Sequence, residues 1–102
     1  MLINKGYAEG DIVCFKTVTG DEIVAKISET VADGFVVNRP CTVIPSPQGL
    51  GLMQSLISAD INTNVTLKNE HILMHGLVIK DIENHYIRTT TGIQPSGKGI
   101  IT

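Results

Sequence analysis

His71 and His75 stand four residues apart, a spacing that sets two imidazoles on one face of either a strand or a helix, with Glu70 and Asp81 close by in sequence. A zinc site needs at least three convergent ligands, and no other His, Cys, Asp or Glu stands at a recognisable spacing to supply the third. No metal is therefore expected. Cys14 and Cys41 are far apart and belong to no Cys-x-x-Cys pair, so each reads as a small buried hydrophobe and not as a redox couple. Gly92-x-x-x-x-Gly97-Lys98 opens like a phosphate-binding loop. Gly99 then replaces the magnesium-binding hydroxyl, and only three residues follow, too few for the helix whose N-terminus such a loop requires. No Ser-His-Asp set, nucleophile elbow or pair of carboxylates in an apolar setting occurs, so the chain reads as a non-enzyme without a cofactor. Binding chemistry remains. Arg39 offers a guanidinium that stacks on a base or holds a phosphate, and His75 offers a ring that stacks and hydrogen-bonds while largely neutral at pH 7.

The elements that must position these groups are strands. Val13, Phe15 and Thr17 alternate, as do Ile23, Ala25 and Ile27, and Thr19-Gly20-Asp21 lies between the two sets, which predicts a hairpin of strands 11–18 and 22–31. Ala32-Asp33-Gly34 makes a second turn. A third strand is predicted over 35–44, with Pro40 marking a bulge or an edge because it cannot donate to a ladder. Pro45-Ser46-Pro47-Gln48-Gly49 forms a loop before a fourth strand over 50–59. Residues 60–69 are polar, with Val65 and Leu67 anchoring a brief extended piece. Beyond it Ile79, Ile82, Tyr86 and Ile87 fall at helical spacing, which predicts a helix over 80–91. Asp81 and Glu83 favour its start, Arg88 its end, and Gly92 its stop. Residues 92–102 are expected to be a flexible tail.

The first hairpin resembles, position by position, the first motif of the Sm and Sm-like (LSm) RNA-binding proteins, in which alternating apolar residues lead to a glycine and an apolar-x-Gly-x-Leu segment follows. Here Ala25 replaces that second glycine and Thr17 stands where a leucine is usual. About fifty residues on, Ile72-Leu73-Met74-His75-Gly76-Leu77-Val78 looks like the second motif, an apolar residue followed by a basic residue, glycine and valines. The ending, Asp81-Ile82-x-x-x-Tyr86-Ile87-x-x-Thr90-Thr91-Gly92-Ile93, is similar to that of the small Sm-like proteins of marine cyanophages. The resemblance implies a single Sm-like (SH3-like) domain over 1–102: a strongly bent five-stranded antiparallel barrel over 11–79, followed by the C-terminal helix. Its last two strands would cover 72–74 and 77–79, with His75 and Gly76 in the turn between them. That turn would contribute to a base pocket whose other half is Asn38 and Arg39. The family's Asp-x-x-apolar-Asn loop is out of step here, since Asp33 comes about two positions late and Val37 formally takes the asparagine's place. The family usually carries its helix first, so binding modes tied to the helix-bearing face do not transfer. The bland alternatives are a turn histidine without a ligand, a strand asparagine and a solvated arginine.

Composition bounds the partners. At 102 residues, with 42% hydrophobic and 18% charged, the chain is one apolar-rich domain for which self-association would cover surface. The resemblance implies a homo-oligomeric ring of about five to seven subunits closed by edge-strand pairing. Formal net charge is −2 and the eight basic residues are scattered, which excludes a protein that coats duplex DNA by phosphate neutralisation. Single-stranded RNA, or DNA, gripped near a pore is the partner implied, in RNA or DNA processing. A structural ring or adaptor of a phage assembly, without nucleic acid, is the alternative. The start of the chain shows no signal-peptide core and no stretch could span a bilayer, so a cytoplasmic protein is expected, in the host cytoplasm if phage-encoded.

Overall fold

A computed structural model describes residues 6–60 and 62–91. Its elements run β1 (Ile12–Thr17), β2 (Glu22–Val31), β3 (Gly34–Ser46), β4 (Gly49–Gln54), β5 (Asn64–Lys68), a 3-10 turn (Asn69–His71), β6 (Ile72–Leu77) and α1 (Lys80–Thr91). Among the described residues the architecture is one antiparallel sheet of six strands with one C-terminal helix. Strand order is β4-β3-β2-β1-β6, and β5 also lies on β3. The β1–β2 hairpin pairs Ile12 with Lys26 and Lys16 with Glu22. At its turn Gly20 adopts φ +97, which glycine accepts without steric cost, and its N–H donates to the Thr17 carbonyl at 2.9 Å.

β3 serves two partners on one edge. Gly34 to Asn38 pair with β5, whereas Cys41 to Ser46 pair with β4. Arg39 and Pro40 lie at the break, facing the single residue Ala25 across β2, since Val24 pairs with Cys41 and Lys26 with Asn38. Two residues against one is a β-bulge, which kinks the strand, and Arg39 takes up the kink at φ +52. Pro40, which has no N–H to donate, sits at this bulge as its chemistry predicts. A second bulge lies in β2, where Ser28 is the extra residue between the pairs Ile27–Val37 and Glu29–Val36.

These kinks curl the sheet. Laid flat, β5 and β6 would be four strand spacings apart, about 19 Å. Lys68 and Ile72 are only four residues apart in sequence and can span no more than about 14 Å, so the two edges must bend toward each other. Gly34 lies at one of the tightest approaches: a Cβ there would meet the Leu67 carbonyl oxygen at 2.2 Å.

Each face of the sheet has its own core. Val13, Phe15, Ala25, Ile27, Phe35 and Val37 pack on one face, with Tyr7, Val65, Leu67 and Ile72 around them. On the other, Tyr86 of α1 lies on Ile12, Val24 and Cys41, and Ile82 packs beside it. The predicted alternation of Val13, Phe15 and Thr17 and the inward face of the helix are both observed, while Ile79 and Ile87 remain exposed.

Three sequence expectations are corrected. Among the described residues there are six strands and not five, because Asn64–Lys68 forms a full strand on β3. The fourth strand ends at Gln54 and does not reach Ala59: its partner strand is broken at the Arg39–Pro40 bulge, and the Gln54 side chain instead donates to the carbonyls of Leu56 (2.8 Å) and Ala59 (3.3 Å), folding the chain into a loop. Finally, 72–77 is one continuous strand along β1, with His75 opposite Phe15 and Gly76 opposite Cys14. No turn separates them. The Gly92 stop, the tail and the Gly97-Lys98 segment lie outside the described residues.

Candidate nucleic-acid interface

The connection between the last two strands is Asn69–His71, not His75-Gly76. Val65 and Leu67 turn inward from β5, and the polar run Lys68-Asn69-Glu70-His71 then interrupts the alternation until Ile72, so the chain leaves the sheet for one 3-10 turn. This turn meets the Ala32-Asp33 turn between β2 and β3. The Asn69 N–H donates to the Asp33 carbonyl at 2.8 Å, and Lys68 Nζ reaches Asp33 Oδ2 at 2.9 Å. Val18, where the β1–β2 turn begins, donates its N–H to the His71 carbonyl at 2.9 Å. The curl of the sheet thus gathers three connections. The side chains of Asp33, Lys68, Asn69, Glu70 and His71 are all exposed there. The Lys68 ammonium, by hydrogen bond and charge, holds the Asp33 carboxyl below the usual carboxylate range, and Asp33 in turn raises Lys68. His71 Nε2 lies 3.4 Å from a Glu70 oxygen. An ammonium, an amide and an imidazole beside two carboxylates can read hydrogen-bonding edges better than they can attract phosphate. Sequence reasoning missed Lys68 and Asn69, whose signal was that polar interruption of the apolar alternation.

The four predicted residues are dispersed. Arg39 points inward to the helix: its Nη1 donates to the Thr90 carbonyl at the end of α1, and its Nη2 lies 3.4 Å from Asn62 Oδ1. A guanidinium against helix-terminal carbonyls is favourable by charge and by capping. Arg39 is therefore a structural clamp, not a solvated side chain. Its carbonyl and that of Asn38 both accept from the buried Tyr86 hydroxyl, at 2.9 and 2.8 Å. The Asn38 side chain donates to Asn64 Oδ1 at 3.2 Å. Gly76 lies mid-strand, outside the positive-φ region, with open space where a Cβ would stand, so no tight turn requires a glycine there.

His75 is the predicted residue that keeps an exposed ring. Its Nδ1 lies 2.6 Å from the Tyr7 hydroxyl; with the phenol as donor, the neutral ring carries its proton on Nε2. Phe35 (5.2 Å between centroids, edge-on), Tyr7 (5.5 Å) and Phe15 (6.1 Å) surround it. Burial, with smaller contributions from the charges of Cys14 and Asp11, pushes the Tyr7 phenol up. His75 and Tyr7 share no hydrogen-bond partner with Asn38 and Arg39 among the described residues. His71 and His75 likewise hold separate partners, and no group of three or more His, Cys, Asp or Glu that could hold a metal occurs among the described residues.

Both outer edges of the sheet carry apolar side chains. Leu50 and Met53 of β4 are exposed, as are Leu73, Met74 and Leu77 of β6, while Leu56 and Ile57 project from the loop that follows β4. Among the described residues, β4 pairs with β3 alone and β6 with β1 alone. No described helix is long and apolar enough to cross a membrane. No family model matches the chain, and no curated protein matches it in sequence.

Proposed function

We propose that this chain is an Sm-like subunit of a homo-oligomeric ring, which binds single-stranded RNA, or DNA, near its pore and performs no chemistry of its own. The observation that carries the reading is the junction of the β2–β3 turn with the β5–β6 connection, bonded through Asp33, Lys68 and Asn69. These are the two connections, one after the second strand and one before the last, to which the Sm resemblance assigns a base pocket. The pocket is moved to Lys68, Asn69 and His71, with His75 farther along β6, and Tyr7 against it, as a stacking surface. Asn38, Arg39 and Gly76 leave it. Ring closure is supported by the free edges: an antiparallel approach of β4 to β6 of the next subunit sets Leu50 and Met53 against Leu77 and Met74, covering two rows of exposed apolar side chains and two open ladders.

A titration of fluorescein-labelled U-rich RNA with wild type, Lys68→Ala, His71→Ala and Arg39→Lys tests the assignment by anisotropy. The reading requires several-fold weaker binding for the first two variants and wild-type affinity for Arg39→Lys. The structural-ring alternative is favoured by one observation, the net charge of −2 together with Asp33 and Glu70 at the junction. It predicts the same oligomer with no saturable binding of any oligonucleotide.

A further inference from the structure

Ser28, the extra residue of the β2 bulge, is turned out of the regular ladder, and beside it lies an open groove of ≈ 510 Å³ lined by Glu9, Gly10, Lys26, Ser28, Asn38 and Asn64 together with Ile27. Bulges of this kind re-aim side chains next to binding sites. The Glu9–Gly10 turn is fixed to the floor of the groove, since the Gly10 N–H donates to the Ile27 carbonyl at 2.8 Å and the Ile27 N–H to the Asp11 carbonyl at 2.8 Å. Asn64 Nδ2 lies 3.3 Å from Ser28 Oγ, and Asn38 Nδ2 lies 3.2 Å from Asn64 Oδ1. That chain of bonds orients the two amides and leaves Asn38 Oδ1, one N–H on each amide and the serine hydroxyl hydrogen uncommitted by it. Lys26 faces Asn38 in register at one end, and its side chain is exposed. Glu9 and Ser28 stand at the other, and two residues of extended strand separate Lys26 from Ser28 by about 6–7 Å.

We infer that this groove holds one ribonucleotide unit, the phosphate on Lys26 and the amide N–H groups and the ribose hydroxyls on Glu9 and Ser28. A cation and a carboxylate at opposite ends suit the two ends of a ribose phosphate: the ammonium and amides donate to phosphate oxygens, while the carboxylate accepts from the 2′-hydroxyl, which only RNA carries. The inference rests on the single-strand reading for the source of the ribonucleotide and goes beyond it by selecting RNA over DNA.

The test uses free nucleotides, so the two readings fail separately. The full chain labelled with ¹⁵N is titrated with adenosine monophosphate and with its 2′-deoxy analogue, and the side-chain amides of Asn38 and Asn64 and the Gly10 N–H are followed by NMR. Saturable shifts at these groups with adenosine monophosphate, at least several-fold weaker with the deoxy analogue and absent in Asn64→Leu, are expected. No shift, equal response to both nucleotides, or shifts confined to other residues overturns the groove assignment. Groove shifts without any binding of RNA oligomers would leave the groove standing and sink the ring-pore reading.

Discussion

Replacing Tyr86 with Phe removes one oxygen from the centre of the helix-covered face. The Tyr86 side chain is 1% exposed, and its hydroxyl donates to two carbonyls, those of Asn38 and Arg39 at 2.8 and 2.9 Å, on either side of the bond where β3 kinks. Phenylalanine keeps the ring in its place against Ile12, Val24 and Cys41 and loses only the donor. The two part-buried carbonyls then lose this donor, the Arg39 carbonyl keeping only a weak bond from Cys41 Sγ at 3.6 Å, at about 1–3 kcal/mol for a group left unsatisfied. Arg39 is meanwhile held at φ +52, a conformation that costs a non-glycine residue roughly 1–2 kcal/mol and needs neighbours to enforce it. The expected loss is about 2–3 kcal/mol. For a domain of this size about 5 °C of Tm corresponds to 1 kcal/mol, so Tyr86→Phe should lower Tm by about 10–15 °C in a thermal scan followed by circular dichroism, with a matching shift of the urea midpoint. A drop smaller than about 3 °C would show that the hydroxyl does not hold the kink.

Gly34→Ala should destabilise by roughly 1–3 kcal/mol in urea unfolding, since its Cβ would strike the Leu67 carbonyl oxygen at 2.2 Å, whereas Gly76→Ala, with open space at its Cβ, should be near neutral; the reverse order would contradict the strand assignment of 72–77. Burial raises the thiols of Cys14 and Cys41 and the phenols of Tyr7 and Tyr86, so the folded chain holds these protons more tightly than the unfolded one. Stability is then unaffected by these groups below about pH 8.5 and falls as pH rises past it, more steeply beyond about pH 10, where free phenols ionise; urea midpoints measured from pH 7 to 11 should decline in that order, and a flat profile would be inconsistent with the burial. Leu77→Glu and Leu50→Glu each place a charge on an outer edge, and light scattering on eluted protein should report smaller particles than wild type at equal concentration, with monomer-like circular dichroism unchanged.

The hairpin, the helix and the inward-facing residues of both were legible because each depends on local periodicity: Val13, Phe15 and Thr17 alternate, and Ile82 and Tyr86 recur one turn apart. What escaped depends on contacts distant in sequence. Leu50 to Ala59 is apolar enough for a long strand, yet it stops at Gln54 because the bulge at Arg39 and Pro40, across the sheet, ends its ladder. Residues 64–68 were too short and polar to declare themselves as a strand without β3 to pair with. The Sm-like motif within the apolar run 72–79 implies a turn at His75-Gly76, whereas the polar run 68–71 just before it holds the turn. Arg39 was legible as a cation but not as a clamp. Its partner, the Thr90 carbonyl, lies 51 residues away, and no spacing rule anticipates that meeting. Of the candidate site, the sequence offers His75 as a stacking ring but sets it in a turn instead of mid-strand, while Lys68 and Asn69 become visible only once the curl of the sheet brings their turn to Asp33.

The most direct measurement of the central proposal is the binding of fluorescent U-rich and A-rich single-stranded RNA oligomers to the wild-type protein, followed by anisotropy at two salt concentrations. Saturable binding that discriminates between the two sequences and weakens only modestly with salt is expected, since Lys68 is the one cation at the junction of turns among the described residues and few counterions are released. No binding at the lower salt concentration would contradict it and leave a ring whose role is structural.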